Sequence, residues 1–196
     1  VATSLVAGVG LLGAVFAYFI AQYFDWRTCY FIGGGLGFLL LMLRISVFES
    51  GMYKDMQGAD VQKGNFLMFF NDKRRFKKYL LSILIGLPTW YVVGILIMFS
   101  REFGKAFGIA EEINPGKGVM FAYLAISIGD ILIGLLSQVL KSRKKALYIF
   151  YAITVLAIVL YFMQSGGTAN TMYMICALLG FGTGFWAIFV TMGAEQ

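Results

Sequence analysis

Apolar residues run along this chain in six blocks. Each is close to the roughly 20 residues a helix needs to cross about 30 Å of hydrocarbon. Residues 1–24 carry no charge, Asp25, Trp26 and Arg27 interrupt, and 28–43 continue as far as Arg44. After a polar stretch the pattern resumes at 80–100, 118–140, 146–163 and 171–194, with a single acid, Asp130, inside the fourth block. A polar turn, 164–170 (QSGGTAN), separates the last two. The blocks are too long for membrane strands of about 9–11 residues, and polar residues do not alternate along them. The pattern predicts an all-α integral membrane protein with six transmembrane helices. Glycines recur within them (Gly8, Gly10, Gly13; Gly33, Gly34, Gly35, Gly37; Gly180, Gly182, Gly184), and in lipid such residues let neighbouring backbones approach closely.

Composition sharpens this reading. Of 196 residues 60% are apolar and 13% charged, about half the charge of a soluble domain. No Asp, Glu, Lys or Arg occurs between Lys145 and Glu195. A water-facing surface cannot be built from such a segment, which excludes a soluble enzyme, a disordered chain and a coiled coil. There are no histidines, so zinc sites and His-based catalysis are excluded; no metal, no cofactor and no enzymatic activity are expected. Cys29 and Cys176 each stand alone in an apolar run and read as small packed hydrophobes. The chain starts at Val1 without a basic n-region or cleavage site and stops abruptly at Gln196; it reads as an excerpt of a longer protein, with no signal peptide.

Orientation follows from the cations. Arg44, seven basic residues between Glu49 and Tyr79, and the four of the KSRKK turn at 141–145 make twelve on one side, against Arg27, Arg101, Lys105 and Lys117 on the other. The asymmetry puts both chain ends, the long central loop and the KSRKK turn in the cytoplasm, in a multi-pass protein of a plasma or bacterial inner membrane. The loop at 48–78 mixes aromatics and cations in its second half, residues 65–78. That suits an amphipathic segment on the inner leaflet, with the lipid bilayer as its partner and no nucleic acid.

Three local patterns carry a resemblance. Residues 43–50 (LRISVFES) resemble an Arg…Glu-Ser signature following a sixth helix. Residues 134–144 (GLLSQVLKSRK) resemble a G-x-x-x-D-R-x-G-R-R/K loop, with Gln138 in place of Asp and Lys141 in place of Gly. Gly182, Thr183, Gly184, Phe185 and Trp186, running on to Glu195, resemble a tenth helix that ends in an acid. All three occur in sugar and metabolite porters of the major facilitator superfamily, and two helices, a cytoplasmic linker and further helices with short loops match that family's middle. The resemblance covers nearly the whole chain. It implies helices five to ten of a twelve-helix fold of two six-helix halves with inverted repeats. Residues 1–47 are then the last two helices of the N-terminal bundle, 48–78 the linker, and 79–196 the first four helices of the C-terminal bundle. The remaining helices of the full-length transporter would be partners, and the excerpt alone would be inactive. The resemblance also makes Gln138, Arg143 and Glu195 gating residues, the last two forming an ion-pair latch made in one conformation and broken in another.

Asp130 lies about 12 residues from the outer end of its helix, roughly 18 Å down. A charge at that depth is expensive and marks a functional candidate, a proton-coupling or substrate-binding carboxylate; the bland alternative is a structural acid bonded to Ser127 or a neighbouring helix. At similar depth Trp90 and Tyr91 follow Pro88, and Thr183, Phe185 and Trp186 lie among glycines. Both helices are expected to be irregular there, with these side chains lining the path of a small-molecule solute; packing against lipid or another helix is the alternative. The expected function is secondary active transport of a small organic solute by alternating access, proton-coupled through Asp130. The competing expectation is a non-transporting scaffold or sensor that holds a cytoplasmic partner through the 48–78 loop.

Overall fold

A computed structural model of the chain describes residues 2–45 and 70–194. Within them every regular element is helical: α1 (Ala2–Leu11), α2 (Gly13–Tyr23), α3 (Trp26–Ile45), α4 (Lys73–Tyr91), a π-helical segment (Val92–Ile97), α5 (Ser100–Ala106), α6 (Pro115–Val139), α7 (Arg143–Phe162), α8 (Ala169–Gly182) and α9 (Trp186–Ala194). Six stretches of these are long and apolar enough to cross a membrane: Ala2–Tyr23, Trp26–Arg44, Lys73–Ile97, Pro115–Val139, Arg143–Phe162 and Ala169–Gly193. The six expected spans are therefore present, with shifted ends. Most of the 48–78 loop, and Glu195 with it, lies outside the described residues.

The third span shows the largest shift, starting at Lys73 rather than at 80. Asp72 sets this start: its Oδ1 accepts a hydrogen bond from the Arg74 amide at 2.8 Å, and its carbonyl receives the Phe76 amide at 2.9 Å. A capped first turn carries the cations of 73–78 directly into the helix that becomes the span. Apolar periodicity had no means of finding this, because those two turns hold the charge.

Two compact units divide the chain, Ile20–Phe76 and Val1–Phe19 with Lys77–Gln196. In the former, α3 buries none of its side chains, and a Cβ added at Gly33, Gly34, Gly35 or Gly37 would meet nothing within 4 Å. The packing expected of those four glycines is thus not made among the described residues. The turn before α3 is polar and closed locally. Asp25 accepts the Thr28 hydroxyl at 2.5 Å, which holds its carboxyl below the usual carboxylate range, and Arg27 lies over the Trp26 ring at 5.2 Å.

In the larger unit α6 is the central helix, packed against α1, α7, α8, α9 and the π segment. Close backbone approach makes this possible. A Cβ on Gly8 of α1 would stand 2.9 Å from the Ser127 carbonyl, and the Ser127 hydroxyl donates to the Gly8 carbonyl at 2.6 Å. One on Gly180 of α8 would collide with the Ala122 carbonyl. Around these contacts Val92, Leu96, Ala122, Tyr161, Met172 and Leu179 form one buried cluster, and Ile133, Leu147, Phe150, Phe185 and Ile188 a second.

The α6–α7 turn explains a departure from the family pattern. Lys141 stands where the resembling motif has glycine, and its φ is +49°, in the left-handed region. The Lys141 amide bonds the Gln138 carbonyl and the Ser142 amide bonds the Ser137 carbonyl, both at 3.1 Å. This pair of bonds is the helix-ending motif that favours glycine at that position. Lysine adopts it here at a modest backbone cost. Ser142 then caps α7, accepting the Lys145 amide at 3.4 Å.

The packing makes a testable distinction between glycines. Gly180→Ala should lower stability by about 1–3 kcal/mol, because backbone rather than a flexible side chain opposes the new methyl. Gly10→Ala, where a Cβ meets nothing within 4 Å, should be neutral or mildly stabilising. Thermal unfolding of the two variants in one detergent checks this; equal melting points would show that the α6–α8 approach is not tight.

Candidate functional site

Two helices of the larger unit lose their regular hydrogen bonding at the same place. In α4, Pro88 has no amide proton to give, and the chain passes after Tyr91 into six π-helical residues, Val92–Ile97. The Met98 amide reaches back five residues to the Val93 carbonyl at 3.3 Å. Two tyrosines of α7 donate to main-chain carbonyls of this helix, one before Pro88 and one in the π segment. Tyr151 donates its hydroxyl to the Ile85 carbonyl at 2.5 Å, and the fully buried Tyr161 donates to the Leu96 carbonyl at 2.7 Å.

The second break separates α8 from α9 at residues 183–185. The Thr183 hydroxyl folds back onto the carbonyls of Leu179 and Gly180 at 3.1 and 3.0 Å, and Gly184 lies so close to Gly129 that a Cβ on it would stand 2.7 Å from the Gly129 Cα. The helix restarts at Trp186, which leaves first-turn amides in need of acceptors. Asp130 meets that need from across the bundle. Its Oδ1 accepts the Ala187 amide at 3.1 Å. Asp130 is fully buried, and its second oxygen, Oδ2, has no hydrogen-bond partner. No Asp, Glu, Lys or Arg occurs in α1, α8 or α9 to face it. The negative group is held instead by the positive end of α9. The Ser127 hydroxyl, an expected partner, is engaged by Gly8.

Between the two breaks lies a cavity of about 220 Å³. Thr89, Trp90 and Val93 wall it from the first interrupted helix, and Thr183 and Trp186 from the second. Tyr123 and Ile126 of α6 and Leu11 complete the lining. Trp90 and Trp186 meet edge to face, with centroids 5.7 Å apart and planes at 84°. Thr89 is buried, with a hydroxyl that has no hydrogen-bond partner.

The structure thus brings three of the five expected lining residues, Trp90, Thr183 and Trp186, to one cavity. Tyr91 and Phe185 stand elsewhere. Tyr91 lines no part of the cavity, and Phe185 is fully buried against Tyr151, their rings 5.1 Å apart. The face of this helix that meets the cavity carries Thr89, Trp90 and Val93 and leaves Tyr91 off it. Asp130 lines no part of it and stands behind its wall, one helical turn beyond Ile126. Sequence reasoning missed Tyr123 and Ile126, although their spacing of seven and four residues from Asp130 put them on the same face of α6. Gln138 and Arg143 flank the α6–α7 turn, both exposed. Glu195 lies outside the described residues, so the latch with Arg143 is not seen.

The cap on α9 predicts how Asp130 responds to substitution. Asn keeps an acceptor for the Ala187 amide, whereas Ala leaves the first turn of α9 unbonded in a buried place. Asp130→Ala should be less stable than Asp130→Asn by about 1–2 kcal/mol. Thermal unfolding of both variants decides it, and equal stability would mean that the cap holds nothing.

The sequence model of the Major Facilitator Superfamily matches residues 1–195. Comparison with curated proteins and with solved structures gives no match.

Proposed function

The chain belongs to the Major Facilitator Superfamily, an integral multi-pass transporter family rather than one of enzymes, and on that premise we propose that it moves a small organic solute by alternating access, driven by protons. The observation that carries the proposal is the coincidence of both helix interruptions with one cavity. Irregular backbone at membrane depth is stable only inside protein or along a water-filled path, and interrupted helices are where transporters place solute and coupling ions. Trp90, Trp186, Thr89 and Thr183 receive the solute. No comparable observation favours a scaffold or sensor.

Asp130 supplies the coupling. As a carboxylate it is held by the Ala187 amide at the start of α9; as the neutral acid it holds that amide less strongly. The first residue of that helix is Trp186, in the cavity wall. Loss and uptake of a proton at Asp130 therefore act on the wall through α9, while the solute never touches the acid. Arg143 and Glu195 form the cytoplasmic latch of this cycle.

Coupling and transport separate in one experiment in proteoliposomes. Asp130→Asn should abolish accumulation driven by a pH gradient while leaving solute counterflow intact. Accumulation with unchanged pH dependence would return Asp130 to a purely structural role.

Orientation is part of the same proposal. In a Cys29→Ser background, single cysteines at Gly116 and Gly167 should react with an impermeant thiol reagent from outside intact cells, and cysteines at Gln62 and Ser142 should not. Labelling at Ser142 from outside would reverse the topology.

A further inference from the structure

The cavity between the two interrupted helices also constrains what it accepts. No Asp, Glu, Lys or Arg lines it. Asp130 stands behind its wall and turns its carboxylate to the Ala187 amide of α9. An ion entering the cavity would meet no opposite charge among these residues, so the hydration it loses at membrane depth goes uncompensated.

What the wall does offer is specific. Trp90 and Trp186 stand nearly perpendicular at 84°, making a corner in which a flat ring lies on one indole and presents its edge to the other. A Trp face also attracts cations, but no carboxylate lines the cavity to assist one. Of the two threonines, Thr183 spends its hydroxyl on the Leu179 and Gly180 carbonyls. Thr89 has a buried hydroxyl with no partner. A hydroxyl both donates and accepts, so one polar atom of a ligand satisfies it.

We infer that the cavity selects an uncharged, planar ring compound carrying one amide-like or hydroxyl group, stacked in the Trp90–Trp186 corner and hydrogen-bonded to the Thr89 hydroxyl. This rests on the reading of the cavity as the solute site and adds the class of solute. Selection against ions comes from their lost hydration, and selection among neutral rings from Thr89, which a ligand without a polar atom leaves buried and unpaired.

Three molecules of one shape and different charge test it: benzamide, benzoate and benzamidinium at pH 7. Binding to the chain in lipid nanodiscs is read by tryptophan fluorescence in a Trp26→Phe background, so that only Trp90 and Trp186 report. Benzamide should quench saturably and bind at least about tenfold more tightly than either ion. Thr89→Val should weaken benzamide by about tenfold and leave the melting temperature unchanged. Binding of benzoate or benzamidinium as tight as benzamide would overturn the inference, as would the absence of saturable quenching by benzamide. Thr89→Val without effect on benzamide would remove Thr89 from it. Uptake of a charged solute into proteoliposomes, sensitive to Trp90→Ala, would keep the transport reading and overturn this one. Selective benzamide binding with no solute moved in proteoliposomes would do the reverse.

Discussion

In hydrocarbon a backbone amide or carbonyl has no water to fall back on, and each unsatisfied group costs several kcal/mol. That constraint organises the larger unit of this protein. It contains two places where helical bonding is irregular, at Pro88 with the π segment after it and at residues 183–185, and around each of them polar side chains bond the backbone. Tyr151 and Tyr161 of α7 serve carbonyls of the first interrupted helix. Thr183 serves carbonyls at the end of α8, and Asp130 serves the Ala187 amide at the start of α9. These side chains are the polar residues one would otherwise suspect of contacting solute. Most of them are already occupied by backbone.

The small residues follow from the same geometry. A carboxylate on α6 reaches the start of α9 only if the two backbones come close, and Gly129 against Gly184 lets them do so. Farther along α6, Ala122 against Gly180 keeps α8 at the same short distance. The glycines of α8 and of the break are therefore constrained by neighbours, while those of α3 are not, although all of them look alike as a composition.

How much was legible in the sequence follows from which signals are local. Six spans were readable because a bilayer imposes length and polarity on each helix separately, and the break positions were readable from Pro88 and from the Gly182–Thr183–Gly184 run. The start of the third span was not, since Asp72 and the cations after it resemble a loop until a cap is seen. Lining residues were legible only in part. Trp90 and Trp186 were named by type and depth, but type and depth do not give the rotation of a helix, and the cavity takes Thr89 beside Trp90 rather than Tyr91. Phe185 belongs to the break itself and is turned into the core. Tyr123 and Ile126 carried no chemical flag and needed the periodicity of α6 counted back from Asp130. The partner of Asp130 was beyond reach, because a backbone amide 57 residues away leaves no trace in residue types.

That partner changes what the acid can do. A carboxylate lining a cavity acts on whatever enters by direct contact, and its proton competes with the solute for the same space. Asp130 stands behind the wall, joined to it by the Ala187 amide of α9. A change in its charge alters how firmly that amide is held, and α9 begins with a residue of the cavity, Trp186. The interaction of charge with helix dipole is strongest within the first turn and falls off beyond it, so the effect is concentrated where the indole is attached. In the proposed cycle proton and solute occupy different places and meet only through one short helix. Such an arrangement keeps carboxylates and cations out of a cavity lined by tryptophans, threonines, a tyrosine and aliphatic side chains without isolating it from the acid.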